Sequence, residues 1–188
     1  MGIRLVATDK DYIISSFGRN NVYENLPDAD ERASNLLEYL GGDEELNPLY
    51  YNPNEITHMD DVRHILDSSN GFLCLCVFVL IMAPVMLTLA SEKAILAKGL
   101  VYGSLASLAV IFLLFIVSIN FDCFFLDFHK IFFSNNLWLM VPGRDLLITM
   151  FPQAFFHSAL LRIFIISLAY SICMLFIGLV IRGRNVRP

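Results

Sequence analysis

Charge is scarce in this sequence: Asp, Glu, Lys and Arg make up 16% of its residues, against 56% that are hydrophobic. With a mean hydropathy of +0.61, that excludes a purely soluble domain. The charge present is unevenly spread. Carboxylates crowd the first third of the chain, while its last charged residues, Arg182, Arg184 and Arg187, are all basic. Cysteine is sparse too, and Cys74, Cys76, Cys123 and Cys173 show neither zinc-site spacing nor a disulfide framework, so they read as small apolar residues. A Gly-x-Ser-x-Gly elbow, a His-Glu-x-x-His helix and a phosphate-cradling glycine loop are also missing. Any catalysis must use other groups, and the acidic first third disfavours a nucleic-acid partner.

What the sequence does have is three apolar runs, 72–90, 100–119 and 159–181, each able to cross a hydrocarbon core of roughly 30 Å. Pro84 predicts a bend in the first, and Gly103, Ser104, Ala106 and Ser107 give the second a small-residue face for close helix packing. Lys93 and Lys98 in the connection 91–99, with the arginines of the tail 182–188, predict that both face the cytoplasm. Segments 1–71 and 120–158 then share the opposite side. The expected fold class is an all-α integral membrane protein, a helical bundle under a small extracytoplasmic helical cap. Its parts are the cap segments 1–71 and 120–158, a transmembrane hairpin 72–119, a third span 159–181 and the tail. An outward N-terminal segment must be carried across the bilayer, and residues 1–7 are too short for a signal peptide or a span. This predicts that a first transmembrane helix is lacking from the chain.

Within the cap, 28–40 reads as a helix, started by Pro27 and Asp28 and stopped by Gly41-Gly42. A second helix starts at Asn52, with Pro53 in its first turn and Glu55 placed for a capping box. It runs through Ile56, Met59, Val62 and Leu66 and is expected to end near 68–71. Phe121, Phe124, Phe125, Phe128 and Phe132 follow helical spacing and predict an aromatic-faced interfacial helix, extended by Trp138, Phe151, Phe155 and Phe156. These rings are either interface anchors or the walls of a pocket for acyl chains.

The four histidines, His58, His64, His129 and His157, all fall in or beside the cap, and histidine is the natural proton carrier near neutral pH. Asp61, three residues after His58, is spaced to orient its imidazole, and Asp60 bears a similar relation to His64. Asp122 shares a helix face with His129, where Phe125, Phe132 and Phe133 would provide a poorly hydrated setting. Arg162, near the outer end of the third span, either snorkels to the headgroups or binds an anionic part of a substrate. Arg144 and Asp145 either pair or leave Asp145 to cap the next helix. By themselves the histidines fit local hydrogen bonding, proton transfer or a metal site, although their spacing matches no familiar ligand pattern. Neither a metal nor a cofactor is expected.

Two blocks carry a resemblance: Tyr51-Asn-Pro-Asn-Glu-Ile-Thr-His-Met-Asp-Asp-Val, and Phe128-His-Lys-Ile-Phe-Phe-Ser-Asn-Asn-Leu-Trp through Phe151-Pro-Gln-Ala-Phe-Phe. With the helix ending Glu38-Tyr-Leu-Gly-Gly, the sequence resembles the lipoprotein intramolecular transacylase family from about residue 20 to 181. The resemblance implies four transmembrane helices, the first of them lacking here, under an extracellular cap and two catalytic histidines where cap meets membrane, here His58 and His129. It implies acyl transfer from the sn-2 glyceryl position of a diacylated lipoprotein to the α-amine of its N-terminal cysteine, giving the lyso form. On this reading Phe125, Phe128, Phe132, Phe133, Trp138 and Arg162 contact substrate, Asp61 and Asp122 orient the imidazoles, and the partners are the lipoprotein and membrane lipid. Two other classes stay open: a non-enzymatic membrane protein whose cap binds a lipid or partner, and a metal-dependent membrane hydrolase.

Overall fold

A computed structural model describes residues 9–185; residues 1–7 and Arg187, which figure in the expectations above, lie outside them. The described residues form helices and no strands: α1 (Lys10–Arg19), α2 (Val22–Asn25), α3 (Ala29–Gly41), α4 (Pro53–Leu89), α5 (Lys93–Val117), α6 (Phe121–Phe132), α7 (Leu146–Met150) and α8 (Gln153–Asn185). Their contacts divide the chain into two compact units, Met1–Asn70 with Phe125–Leu161, and Gly71–Phe124 with Arg162–Pro188.

The first unit has an apolar interior in two clusters. Ile13 and Phe17 of α1 pack with Val22, Ala29, Ala33, Met150 and Phe155, and Tyr12 ties α1 to α8 through a 2.9 Å bond between its hydroxyl and that of Ser158. Leu36 and Leu40 of α3 pack with Tyr51, Met59, Leu66 and Leu147. The spacing of 28–40 correctly marks α3, which stops where Gly42 adopts φ 97° and donates its N–H to the carbonyls of Glu38 and Tyr39. The start of α4 is likewise the expected capping box: Asn52 Oδ1 accepts from Glu55 N at 3.1 Å, and Glu55 Oε2 accepts from Asn52 N at 2.9 Å.

Where α4 ends differs from expectation. The helix does not stop at 68–71 but continues without a break into the first apolar run, to Leu89. Gly71 costs a helix only about 1 kcal/mol, and among the described glycines only Gly42 and Gly143 take the positive φ that would close one. The aromatic helix α6 forms as predicted, but Trp138, Phe151, Phe155 and Phe156 do not extend it. It ends at Phe132, where Asn135 turns the chain by accepting the N–H of Leu137 on its side-chain oxygen at 3.0 Å. Trp138 lies in the irregular connector that follows, and Phe155 and Phe156 open α8.

The second unit carries the spans. Helices α4, α5 and α8 are long and apolar enough to cross a membrane, and Phe78, Leu80, Phe112, Leu113, Ile165 and Phe176 leave their side chains exposed, as lipid-facing positions do. The protein is thus an all-α membrane protein. Helix α5 starts earlier than its apolar run, so Lys93 and Lys98 sit in its opening turns rather than in a loop. The small face of α5 is used: Ser104 is buried, and Ser107 shares a 2.9 Å hydroxyl bond with Ser171 of α8. Gly178 of α8 also packs tightly on α5, where an added Cβ would come within 2.9 Å of Leu100 Cβ and 3.1 Å of the Val101 backbone N. Gly103 meets nothing within 4 Å.

Candidate active site

Both sequence blocks that contain histidine meet inside the first unit. His58 sits in the second turn of α4 and His129 in the last turn of α6, both buried. Their ring centroids are 6.3 Å apart with 30° between the planes. Phe133, just past the end of α6, serves both, with centroid distances of 4.8 Å to His58 and 5.5 Å to His129. Around His129 the rings close further: Phe125 at 4.2 Å, Trp138 at 4.9 Å and Phe128 at 5.5 Å. Phe132 stacks on Phe128 at 4.6 Å, outside this inner circle.

The two imidazoles are held differently. His129 Nδ1 lies 2.7 Å from the carbonyl oxygen of Phe125 one turn back. A carbonyl can only accept, so Nδ1 carries the proton, and in the neutral ring Nε2 is left with its lone pair. His58 Nδ1 is buried without a hydrogen-bond partner. Burial holds both rings in the neutral form. It lowers the His58 pKa from 6.5 to about 4, helped by repulsion from His129 and opposed by the charge of Asp61. It also lowers the His129 pKa, opposed by the Phe125 carbonyl.

Asp61, expected to orient His58, lies one turn along α4, but its carboxylate accepts from Asn135 Nδ2 at 2.7 Å. Its effect on His58 is exerted through charge. Asp122 is exposed in the first turn of α6 and belongs to the second unit; the group that fixes the His129 ring is the Phe125 carbonyl. Arg162 is half-buried on α8, also in the second unit. His64 and His157 are exposed. His64 lines a depression of about 200 Å³ with Asp61, Ile65, Phe132, Phe133 and Ser134, so one wall of this space is the ring that touches both buried histidines.

The site is braced by groups that the sequence reading used for other ends or passed over. Glu55, one turn before His58, is fully buried; besides capping α4 it accepts the N–H of Leu147 on Oε1 at 2.7 Å. Asn52 Nδ2 donates to Asp145 at 3.1 Å, and Asp145 also takes the N–H of Val141 at 2.6 Å and pairs with Arg144 at 2.8 Å. The Arg144–Asp145 pair therefore forms, while Asp145 makes no side-chain cap on α7. Asn135 carries a local signal of its own, since the three polar residues Ser134, Asn135 and Asn136 between Phe133 and Trp138 mark a turn. No group of three His, Cys, Asp or Glu side chains suited to a metal ion occurs among the described residues.

The family described as lipoprotein intramolecular transacylase Lit matches residues 1–156. The in meso structure of the membrane integral lipoprotein intramolecular transacylase Lit from Bacillus cereus is 23% identical, covers 96% of this chain and 86% of its own, and superposes with a TM-score of 0.85. Two further structures of that protein, with a histidine-to-arginine and a histidine-to-alanine mutation, also share 23% identity and 96% of this chain. They cover 83% and 84% of their own chains, with TM-scores of 0.76 and 0.77. At that identity these structures speak to the shared fold. No curated protein matches the chain.

Proposed function

Because the chain belongs to the lipoprotein intramolecular transacylase family and is therefore an acyltransferase, we propose that His58 and His129 carry its reaction. In this reading an acyl chain moves from the sn-2 glyceryl ester of a diacylated lipoprotein to the α-amine of its N-terminal cysteine. The observation that carries the proposal is the buried pair of imidazoles 6.3 Å apart, joined by the ring of Phe133.

The chemistry needs no protein nucleophile, since the amine of the substrate attacks the ester of the same molecule. A free α-amine has a pKa of about 8 and attacks only when neutral. His129 Nε2, left as an acceptor by the Nδ1 bond to Phe125, takes the amine proton as the nitrogen–carbon bond forms. Neutral His58 donates a hydrogen bond to the oxyanion that develops on the ester carbon. As the carbon–oxygen bond breaks, the proton on His129 passes to the glyceryl oxygen, and both imidazoles return to their starting state. Bringing amine and ester together draws on the roughly 7 to 11 kcal/mol available to well-oriented intramolecular reactions. Phe125, Phe128, Phe132, Phe133 and Trp138 line the acyl path and exclude the water that would hydrolyse the ester. The depression beside Phe133 receives the polar end of the substrate.

The basic residues Lys93, Lys98, Arg182 and Arg184 support a cytoplasmic C-terminus, with segments 1–71 and 120–158 forming an extracytoplasmic cap. The test is co-expression with a diacylated lipoprotein and mass spectrometry of its N-terminal peptide. The expected product carries one acyl chain on the cysteine nitrogen and one on glycerol. An unchanged diacylglyceryl peptide, under conditions where a known family enzyme converts it, overturns the proposal.

A further inference from the structure

Three bonds converge on Asn135, and two of them lead toward the buried histidines. Its Nδ2 donates to Asp61 Oδ2 at 2.7 Å, and Asp61 lies one helical turn from His58. Its Oδ1 accepts from Leu137 N at 3.0 Å, and its backbone carbonyl accepts from Trp138 Nε1 at 2.8 Å. Trp138 in turn lies against His129 with ring centroids 4.9 Å apart. Thus Asn135, three residues past the end of α6, holds a carboxylate with its side-chain amide and an indole N–H with its backbone carbonyl.

We propose that Asn135 is a positioning residue for the pair: it engages the Asp61 carboxylate, leaving His58 Nδ1 unpartnered, and seats Trp138 against His129. This deepens the proposed reaction and rests on it. The unpartnered Nδ1 needs an explanation, because a buried polar nitrogen without a partner costs free energy, and a carboxylate one turn away is its natural acceptor once the ring is protonated. The Asn135 amide offers that carboxylate a competing partner. Were Asp61 to turn to His58 instead, it would stabilise the imidazolium and take up the ring N–H, and a protonated His58 would repel protonation of His129. The groups that act on His58 are His129 across from it, Asp61 on its own helix and the uncharged Phe133 and Asn135 of the connector. The Glu55 carboxylate one turn earlier is occupied by the N–H groups of Asn52 and Leu147.

The experiment uses the full-length protein in detergent or liposomes, with isotope-labelled histidine, and follows the His58 ring by NMR across pH beside conversion of a diacylated lipopeptide. In Asn135→Ala, His58 should titrate about one unit or more above the unsubstituted protein, with the acid limb of conversion moving up with it. In Asn135→Ala combined with Asp61→Asn, both should return. A purely structural role for Asn135 would lower conversion at every pH and leave the titration in place. If Asn135→Ala does not fold, Asp61→Asn alone keeps the amide contact and removes the charge, and His58 should then titrate lower than before. An unmoved titration in either single variant, or an upward shift that persists in the double variant, overturns the proposal. Failure of the catalytic reading itself appears separately, as full conversion by His58→Ala.

Discussion

The imidazole of His58, in the second turn of α4, and that of His129, in the last turn of α6, face one another across 6.3 Å with the Phe133 ring against both. Seventy-one positions separate them in the sequence, so the pairing is a product of the fold of the first unit.

Substituting either ring should remove the reaction. His58→Ala and His129→Ala are each expected to slow lipopeptide conversion by about 10² to 10⁴, the usual worth of a positioned acid or base. His64→Ala, at an exposed position, should convert at close to the unsubstituted rate. Single-turnover mass spectrometry of the N-terminal peptide measures all three. Near-normal conversion by both buried-site variants would assign the chemistry elsewhere.

Phe133→Ala should change the product rather than only the rate. The ring lies against both imidazoles and walls the adjoining depression, so its loss admits water to the ester. Free fatty acid and deacylated lipopeptide should then appear beside the lyso product. Counting both products in one digest checks this, and an unchanged ratio would show that Phe133 does not exclude water.

Acid should inactivate and destabilise the protein together. Burial pushes the His58 pKa below its ordinary value, to about 4, and lowers that of His129. In the unfolded chain both titrate near 6.5. Above that pH neither state binds the proton. As pH falls through 6.5 the unfolded chain takes up protons that the folded site refuses, so stability declines from about pH 6.5, and the part due to His58 is lost by about 4. Thermal unfolding from pH 8 to 4 should show a falling Tm over that window. His58→Phe should flatten part of the slope, and a slope unchanged by it would contradict the assignment.

Glu55 should matter more to the fold than its place in the sequence suggests. Its carboxylate is buried and accepts from the N–H groups of Asn52 and Leu147, so Glu55→Ala leaves the Leu147 N–H buried without an acceptor. A loss of about 2 to 5 kcal/mol is expected from two charged hydrogen bonds. Glu55→Gln, which keeps one acceptor oxygen, should lose less. Denaturation of the purified protein in detergent compares the two, and equal stability of Glu55→Ala with the unsubstituted chain would show the clamp to be idle.

Local signals marked much of this protein. Apolar runs of the right length reveal the three spans, because a hydrocarbon core leaves no alternative to a long apolar helix. Gly42 marks the end of α3 because its left-handed φ suits a residue without a Cβ, and Asn52 with Glu55 marks the start of α4 because a capping box acts over three residues. The fusion of the second cap helix with the first span was hidden, since Ser68 to Gly71 read as a stop only if nothing on either side sustains the helix.

What tertiary structure alone decided is everything that depends on a second segment. It chose Leu147 as a partner of Glu55, Asn135 rather than His58 as the partner of Asp61, and Gly178 rather than Gly103 as the glycine pressed against a neighbouring helix. Periodicity and capping describe a chain's relation to itself over a few residues. Which carboxylate meets which ring is set by how distant segments pack, and in this protein that packing creates the poorly hydrated pair of imidazoles.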